Sequence, residues 1–391
     1  MLRSYSFRII GVITLILALG AVWKWDEIQR LLALNSLFAE DTITRNFSAM
    51  DTLFFHAELP VNANAISDFP VNLRALPPLE DWVEARSLTA LVVLKDGEIA
   101  HEAYFRGTHG DDRRISWSVA KSWLSALVGI LLEEGAIESL DDPVTRYAPE
   151  LKASAYDGAT LRHVLQMASG VRFNEDYFDW YSDINRMGRV LALGGSMDNF
   201  ARAIDKREYE PGESFQYASI DTHVVGMVIR GATGRSVIEL MAERLMEPLG
   251  LESQPYYITD RHGVAFVLGG LNMTTRDYAR FGQLYLQQGR WNGQQLVPAH
   301  WVAKSTAPSS PTPEGHIQYG FKWWIPADAT EGEYLARGVY GQFTYINEPA
   351  GVVIAMNAAD RDFLRPGSFA QNLAMFRQIT ETLNGHETDG L

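Results

Sequence analysis

The run Ser116-Trp117-Ser118-Val119-Ala120-Lys121-Ser122-Trp123-Leu124-Ser125-Ala126-Leu127-Val128-Gly129-Ile130-Leu131-Leu132, closed by Glu133-Glu134-Gly135, decides how this chain is read. Ser116 suits a helix N-cap and Gly135 the left-handed residue just past a helix end, so one helix is expected between them. Almost every position is apolar, small or aromatic, with no polar stripe, so the helix should be buried on all sides. Lys121 is the exception. A lysine is almost never fully buried unless something holds it there, and a spacing of three residues sets it one helical turn from Ser118 on the same face.

That pairing points to chemistry. A serine hydroxyl is a weak nucleophile that needs a neighbouring base, and a lysine desolvated in an apolar helix loses its preference for the charged form, so it can serve as that base. Ser118-x-x-Lys121 is the only Ser-x-x-Lys in the chain. The helix start also brings free backbone N–H groups and a positive dipole end near Ser118.

Composition narrows the alternatives. A chain of 391 residues can bury a large core, and a formal net charge of −14 argues against a nucleic-acid partner, which would call for a basic face. Cysteine is absent, which excludes disulfides, thiolate metal sites and a cysteine nucleophile. Arg3 and Arg8 precede an uncharged apolar run from Ile9 to Trp23, and Lys24, Asp26 and Glu27 restore polarity after it. The run is long for a signal-peptide core and slightly short of the roughly 20 residues of a spanning helix. The expectation is an uncleaved N-terminal apolar anchor helix with the N-terminus inside, or a signal cleaved near Ala18-Leu19-Gly20; both export the rest of the chain.

Residues 25–80 read as a connector, with an amphipathic piece from Ile28 to Phe38 and an irregular run from Leu59 to Leu79. Leu88 to Leu94 is a strand by its branched apolar content, Asp96-Gly97 a hairpin turn, and Glu98 to Phe105 the returning strand. Helical signals dominate from Leu140 to about Pro311, including Val237 to Met246 and Thr275 to Gln288. Strands return at Tyr319 to Trp324, Glu333 to Ala336, Gly341 to Ile346 and Val352 to Met356, and a helix closes the chain from Ser368 to Leu383. The fold expected is α+β, an antiparallel sheet assembled from both ends of the chain and flanked by helices, with a helical region inserted between the ends.

Two further segments complete a candidate site. Tyr217-Ala218-Ser219 follows the turn-like Pro211-Gly212-Glu213-Ser214, and Tyr217 could sit beside Lys121 as phenolate or shared-proton base. Gly338-Val339-Tyr340-Gly341-Gln342 opens a strand with two glycines, which permits close backbone approach to a ligand. In that order, Ser118-Val119-Ala120-Lys121, Tyr217-Ala218-Ser219 and the Gly338 to Gln342 segment resemble the three signature elements of the penicillin-recognising serine hydrolases. The branch resembled is that of class C β-lactamases and related esterases. Supporting matches are Leu161 to Gly170, Pro211-Gly212-Glu213, and Gly269 to Thr274 followed by Arg276-Asp277. Tyr217-Ala218-Ser219-Ile220-Asp221-Thr222, followed by Val225-Gly226, is most similar to 6-aminohexanoate-dimer hydrolases and their relatives.

The resemblance, which runs from about Leu88 to the C-terminus, implies a β-lactamase/transpeptidase-like domain over 81–391, with sheet parts at about 81–140 and 314–391 and the helical region at about 141–313. Residues 1–24 would be the anchor or signal. Ser118 would be the nucleophile, Lys121 and Tyr217 its base system, and the backbone N–H groups of Ser118 and Gln342 the oxyanion hole. No metal or other cofactor is implied. Tyr177 falls where the nylon-oligomer hydrolases place a substrate-contacting tyrosine, and Ser219, Tyr340 and Gly341 are the other candidate substrate contacts. Two departures stand out: Ser219 occupies the place of the β-lactamase asparagine, and alignment on Gly341 leaves Val339 where that family has a lysine for the β-lactam carboxylate. A literal Tyr345-Ile346-Asn347 follows along the same strand and reads as coincidence.

The function expected is an exported serine hydrolase of esters or small amides, its catalytic domain outside the cytoplasmic membrane and held to it through the N-terminal segment, or secreted if that segment is cleaved. A β-lactamase or D-amino-acid peptidase, or a non-catalytic envelope sensor on the same fold, are the alternatives. His163, His223 and His262 lack metal-ligand spacing, and no Gly-x-Ser-x-Gly elbow is present.

Overall fold

The computed structural model describes residues 22–61 and 67–385. Its centre is a seven-stranded antiparallel sheet built from β1 (Leu88–Lys95), β2 (Glu98–Tyr104), β3 (Gln318–Tyr319), β4 (Trp324–Ile325), β5 (Glu333–Gly338), β6 (Gln342–Asn347) and β7 (Val352–Ala358). The order is β2-β1-β7-β6-β5-β4-β3, so both ends of the chain meet where β1 pairs with β7. Asp96 and Gly97 take φ of +51° and +83°, the left-handed pair that a two-residue hairpin between β1 and β2 requires. β1 and β7 are buried along their whole length, which is why they read as continuous apolar runs rather than alternating ones.

Six helices build the core and the site: α1 (Trp25–Ser36), α2 (Ala120–Glu133), α3 (Asp183–Ala192), α4 (Ser219–Thr233), α5 (Thr275–Leu286) and α6 (Ser368–Gly385). Val92 and Leu94 point into the core shared with α2, α4 and α5, while Leu91 and Val93 point to the opposite face, where Phe376 of α6 packs on Phe343 and Tyr345. Tyr345, of the coincidental Tyr-x-Asn, is thus a core residue on the face away from α2, its hydroxyl donating to Glu333 Oε1 at 2.9 Å.

Two expectations change, and a third lies outside the described residues. The anchor-like run lies outside the described residues except for Val22 and Trp23, and among the described residues no helix is long and apolar enough to cross a membrane. Residues 25–80 are more than a connector: Leu31 and Leu34 of α1 pack on the main core, His56–Glu58 pairs antiparallel with Tyr256–Ile258, and the Asn72 and Arg74 amides donate to Ile99 and Ala100 of β2. Apolar side chains three and four apart needed a partner, and the inserted helical region supplies it. The strand expected from Tyr319 to Trp324 is two short strands, β3 and β4, separated by a turn in which Lys322 takes a φ of +67°.

Candidate active site

Ser118 sits in a 3₁₀ turn, Trp117–Val119, that leads into α2. Ser116 does not cap the helix; its hydroxyl donates to the Trp117 carbonyl at 2.9 Å. Trp117 takes a φ of +42°, a left-handed conformation that for a bulky side chain stores about 1–3 kcal/mol of strain. Phe47 packs edge-on against its indole with ring centroids 5.5 Å apart, and Phe38 and Tyr340 press on it as well, so packing holds the strained turn. The α2 helix beyond it is buried from Ala120 to Leu131, and Gly135 ends it with a φ of +72°.

Lys121, 1% exposed, donates from Nζ to Ser118 Oγ at 2.7 Å and to the Leu268 carbonyl at 2.7 Å. Burial pushes its amine down to about 7, against the opposing pull of the Glu175 carboxylate. At neutral pH a substantial fraction is therefore a free amine in contact with the serine, which is the state a base needs.

Tyr217 lies at the entrance to α4, its ring 5.4 Å from Lys121 Nζ and stacked on Trp324 at 5.4 Å between centroids. Burial pushes the phenol well above its ordinary range and Glu175 adds to this; contact with the Ser118 hydroxyl and the charge of Arg337 pull the other way. Of the two roles open to Tyr217, the arrangement favours a proton-bearing phenol over a phenolate.

Glu175 is the residue that sequence reasoning missed. Its carboxylate accepts from the Ser219 amide at 2.9 Å, from the Ser219 hydroxyl, and from the Tyr177 hydroxyl at 2.7 Å. It thus ties two of the four candidate substrate contacts together and places a negative charge where both Lys121 and Tyr217 feel it. Farther back, Asp221 of α4 accepts from Tyr156 at 2.8 Å and Ser169 at 2.7 Å, while buried Lys322 donates to the Val164 carbonyl at 2.6 Å. Burial raises the Asp221 carboxyl and lowers the Lys322 amine, and their mutual attraction opposes both shifts.

The third segment arrives in a different register from the one expected. A Cβ on Gly338 would stand 2.7 Å from the Ser116 carbonyl and 3.1 Å from the Ser118 amide, so the end of β5 touches the nucleophile turn only because residue 338 has no side chain. Val339 and Tyr340, next in the chain, line the cavity in front of Ser118. Gln342 does not line that cavity: it is 1% exposed, pairs with Gly338 across the hairpin, and its side-chain amide donates to the Ala358 carbonyl at 2.8 Å. Gly341 faces away, toward Ala358 and Asp360. Gly338 is thus the glycine that meets the nucleophile turn; a register with Gly338 as the motif's closing glycine would put Ala336 at its head, as apolar as the Val339 of the expected register.

The beta-lactamase family profile matches residues 84–370. The chain belongs to the beta-lactamase family. It is 31% identical over 293 residues to the 6-aminohexanoate-dimer hydrolase of Paenarthrobacter ureafaciens, covering 71% of this chain and 74% of that one. A solved structure from Bacillus anthracis assigned as a 6-aminohexanoate-dimer hydrolase superposes with a TM-score of 0.79 at 25% identity, covering 89% of this chain and 96% of that one. A D-stereospecific amidohydrolase from Streptomyces shares the fold, with a TM-score of 0.58 at 19% identity over 75% of this chain and 99% of that one. The chain is thus a serine hydrolase of the amidase and esterase kind.

Of His163, His223 and His262, the first two serve the scaffold. His163 closes a capping box with Thr160, and His223 Nε2 lies 2.8 Å from Asp198. Among the described residues no group of histidines and carboxylates is arranged to hold a metal ion.

Proposed function

We propose that the protein hydrolyses a small linear ester or amide through a Ser118 acyl-enzyme. Ser118 Oγ attacks the carbonyl carbon as its proton passes to Lys121 Nζ. The resulting oxyanion is held by the amide N–H groups of Ser118 and, in place of Gln342, Val339. Tyr217 gives its phenolic proton to the leaving oxygen or nitrogen and is reprotonated from Lys121. The leaving group departs; water then enters, gives a proton back along the same pair, and releases the acid with Ser118 restored. The contact that carries this reading is the 2.7 Å approach of a buried, downshifted Lys121 amine to Ser118 Oγ.

A β-lactamase or D-amino-acid peptidase reading is less well supported. The position that would carry the carboxylate-binding lysine is the apolar Ala336; the adjacent Arg337 guanidinium lies over Phe369, 4.5 Å from the ring centre, with its charge felt by Tyr217 and Tyr177. We further propose export, on the strength of Arg3, Arg8 and the apolar run Ile9 to Trp23; cell fractionation with N-terminal sequencing of the recovered protein tests it. Intact mass after brief exposure to a fluorophosphonate tests the chemistry. One adduct on wild type and none on Ser118→Ala supports it, an adduct on both places the nucleophile elsewhere, and none on either removes the hydrolase mechanism.

A further inference from the structure

Ser118 opens onto a cavity of about 280 Å³ whose walls are mostly apolar. Trp117, Leu268 and Tyr340 surround its inner end, and Leu34, Leu37 and Phe38, from α1 and the residues just after it, close one side. α1 is held there by α3: Arg30 Nε donates to the Ala192 carbonyl at 2.7 Å, and Leu34 lies against Gly188. Phe38 stacks on Tyr340 with centroids 4.6 Å apart and nearly parallel rings, so the segment read as a connector forms a wall of the site.

The cavity's charge is as informative as its shape. No aspartate or glutamate lines it among the described residues, and its one cation, Arg189, donates to the Trp180 carbonyl at 2.8 Å and stacks on the Trp180 indole. Glu175 lies behind Ser219 and Tyr177 with its oxygens taken by their three donors. An ammonium chain end entering here would lose its hydration and find no carboxylate among the walls. The cavity also has a side. Tyr217, which serves the leaving group, is not among its walls but stands against Trp324 and Tyr319. The cavity therefore takes the acyl half of the substrate.

We propose that this is an acyl pocket selecting uncharged, unbranched aliphatic acyl chains of medium length, with α1 and Phe38 as specificity-determining wall. The inference rests on the Ser118 acyl-enzyme proposed above. Each methylene entering such a pocket contributes about 0.8 kcal/mol, or about fourfold in kcat/KM.

The test is kcat/KM for p-nitrophenyl acetate, butanoate, hexanoate and 6-aminohexanoate at pH 8, with wild type, Ser118→Ala and Leu34→Glu. From acetate to hexanoate, four methylenes, wild type should gain on the order of 100-fold. The 6-amino group should remove most of that gain, and Leu34→Glu should narrow or invert the preference for hexanoate over 6-aminohexanoate. A flat or falling chain-length series, or 6-aminohexanoate turned over as well as hexanoate, overturns the acyl-pocket assignment. Selectivity in Leu34→Glu identical to wild type, in a variant that still hydrolyses the acetate ester, overturns the role of α1. If no ester is hydrolysed faster by wild type than by Ser118→Ala, the acyl-enzyme reading itself has failed.

Discussion

Protonation of Lys121 should govern the acid side of the rate profile. Burial pushes the amine from its ordinary 10.5 down to about 7. Since the profile of kcat/KM reports groups of the free enzyme, it should rise with slope one to a plateau above about 7. At pH 5 the free amine is about 1% of the population, so the rate constant should lie about 100-fold below the plateau. Wild type and Tyr217→Phe are to be assayed from pH 5 to 9 with a p-nitrophenyl ester, the product read at a wavelength insensitive to its ionisation. Tyr217→Phe should keep the acid limb in place and lower the plateau only modestly with this ester, whose nitrophenolate leaves unprotonated, whereas an anilide or alkyl ester, which needs the phenol's proton, should lose about 10²–10⁴. A flat profile, or a limb that disappears with the phenol, would refute the assignment of the base to Lys121. The same shift has a stability signature of defined sign. The folded-state value lies below the unfolded one, so the unfolded chain binds this proton more tightly; the destabilisation is complete below about 7 and fades as pH rises toward 10.5. Lys121→Met removes it but strands the Leu268 carbonyl, worth about 1–3 kcal/mol. The variant should therefore be inactive yet more stable than wild type at pH 7, by an amount on the order of a few kcal/mol in urea unfolding, with the gap closing as pH rises toward 10.5.

Glu175→Gln removes the carboxylate that supports the charged form of Lys121, so the acid limb should move to lower pH rather than higher; a shift upward in the same assay would mean that Glu175 does not act on Lys121 through its charge. Gly338→Ala places a methyl 2.7 Å from the Ser116 carbonyl, which the backbone can relieve only by parting β5 from the nucleophile turn. The expected result is a fall of at least tenfold in kcat/KM with a stability loss of about 1–3 kcal/mol by thermal unfolding, and unchanged kinetics would show that this contact does not shape the site.

How much of the molecule was legible in the sequence depended on where each constraint acts. α2 and Lys121 could be read because each anomaly is local: a helix with no polar face and one lysine in it needs no knowledge of the rest of the fold. The sheet could be read because β1 and β7, buried on both faces, consist of continuous branched apolar residues. The third motif could not be placed, since Gly338 and Gly341 are equally plausible glycines until strand pairing brings one against Ser118 and turns the other toward Ala358. Glu175 was invisible for a similar reason, because an acidic loop residue becomes part of a site only through Ser219, which reaches it from another element. The periodicity of α1 announced an apolar stripe, but a stripe does not name its partner. Here the partner is the catalytic cavity, so the choice of acyl group falls to a segment preceding the matched family region of residues 84–370. Chains that share the Ser118, Lys121 and Tyr217 machinery can accordingly diverge in substrate by changing residues that the family motifs do not include.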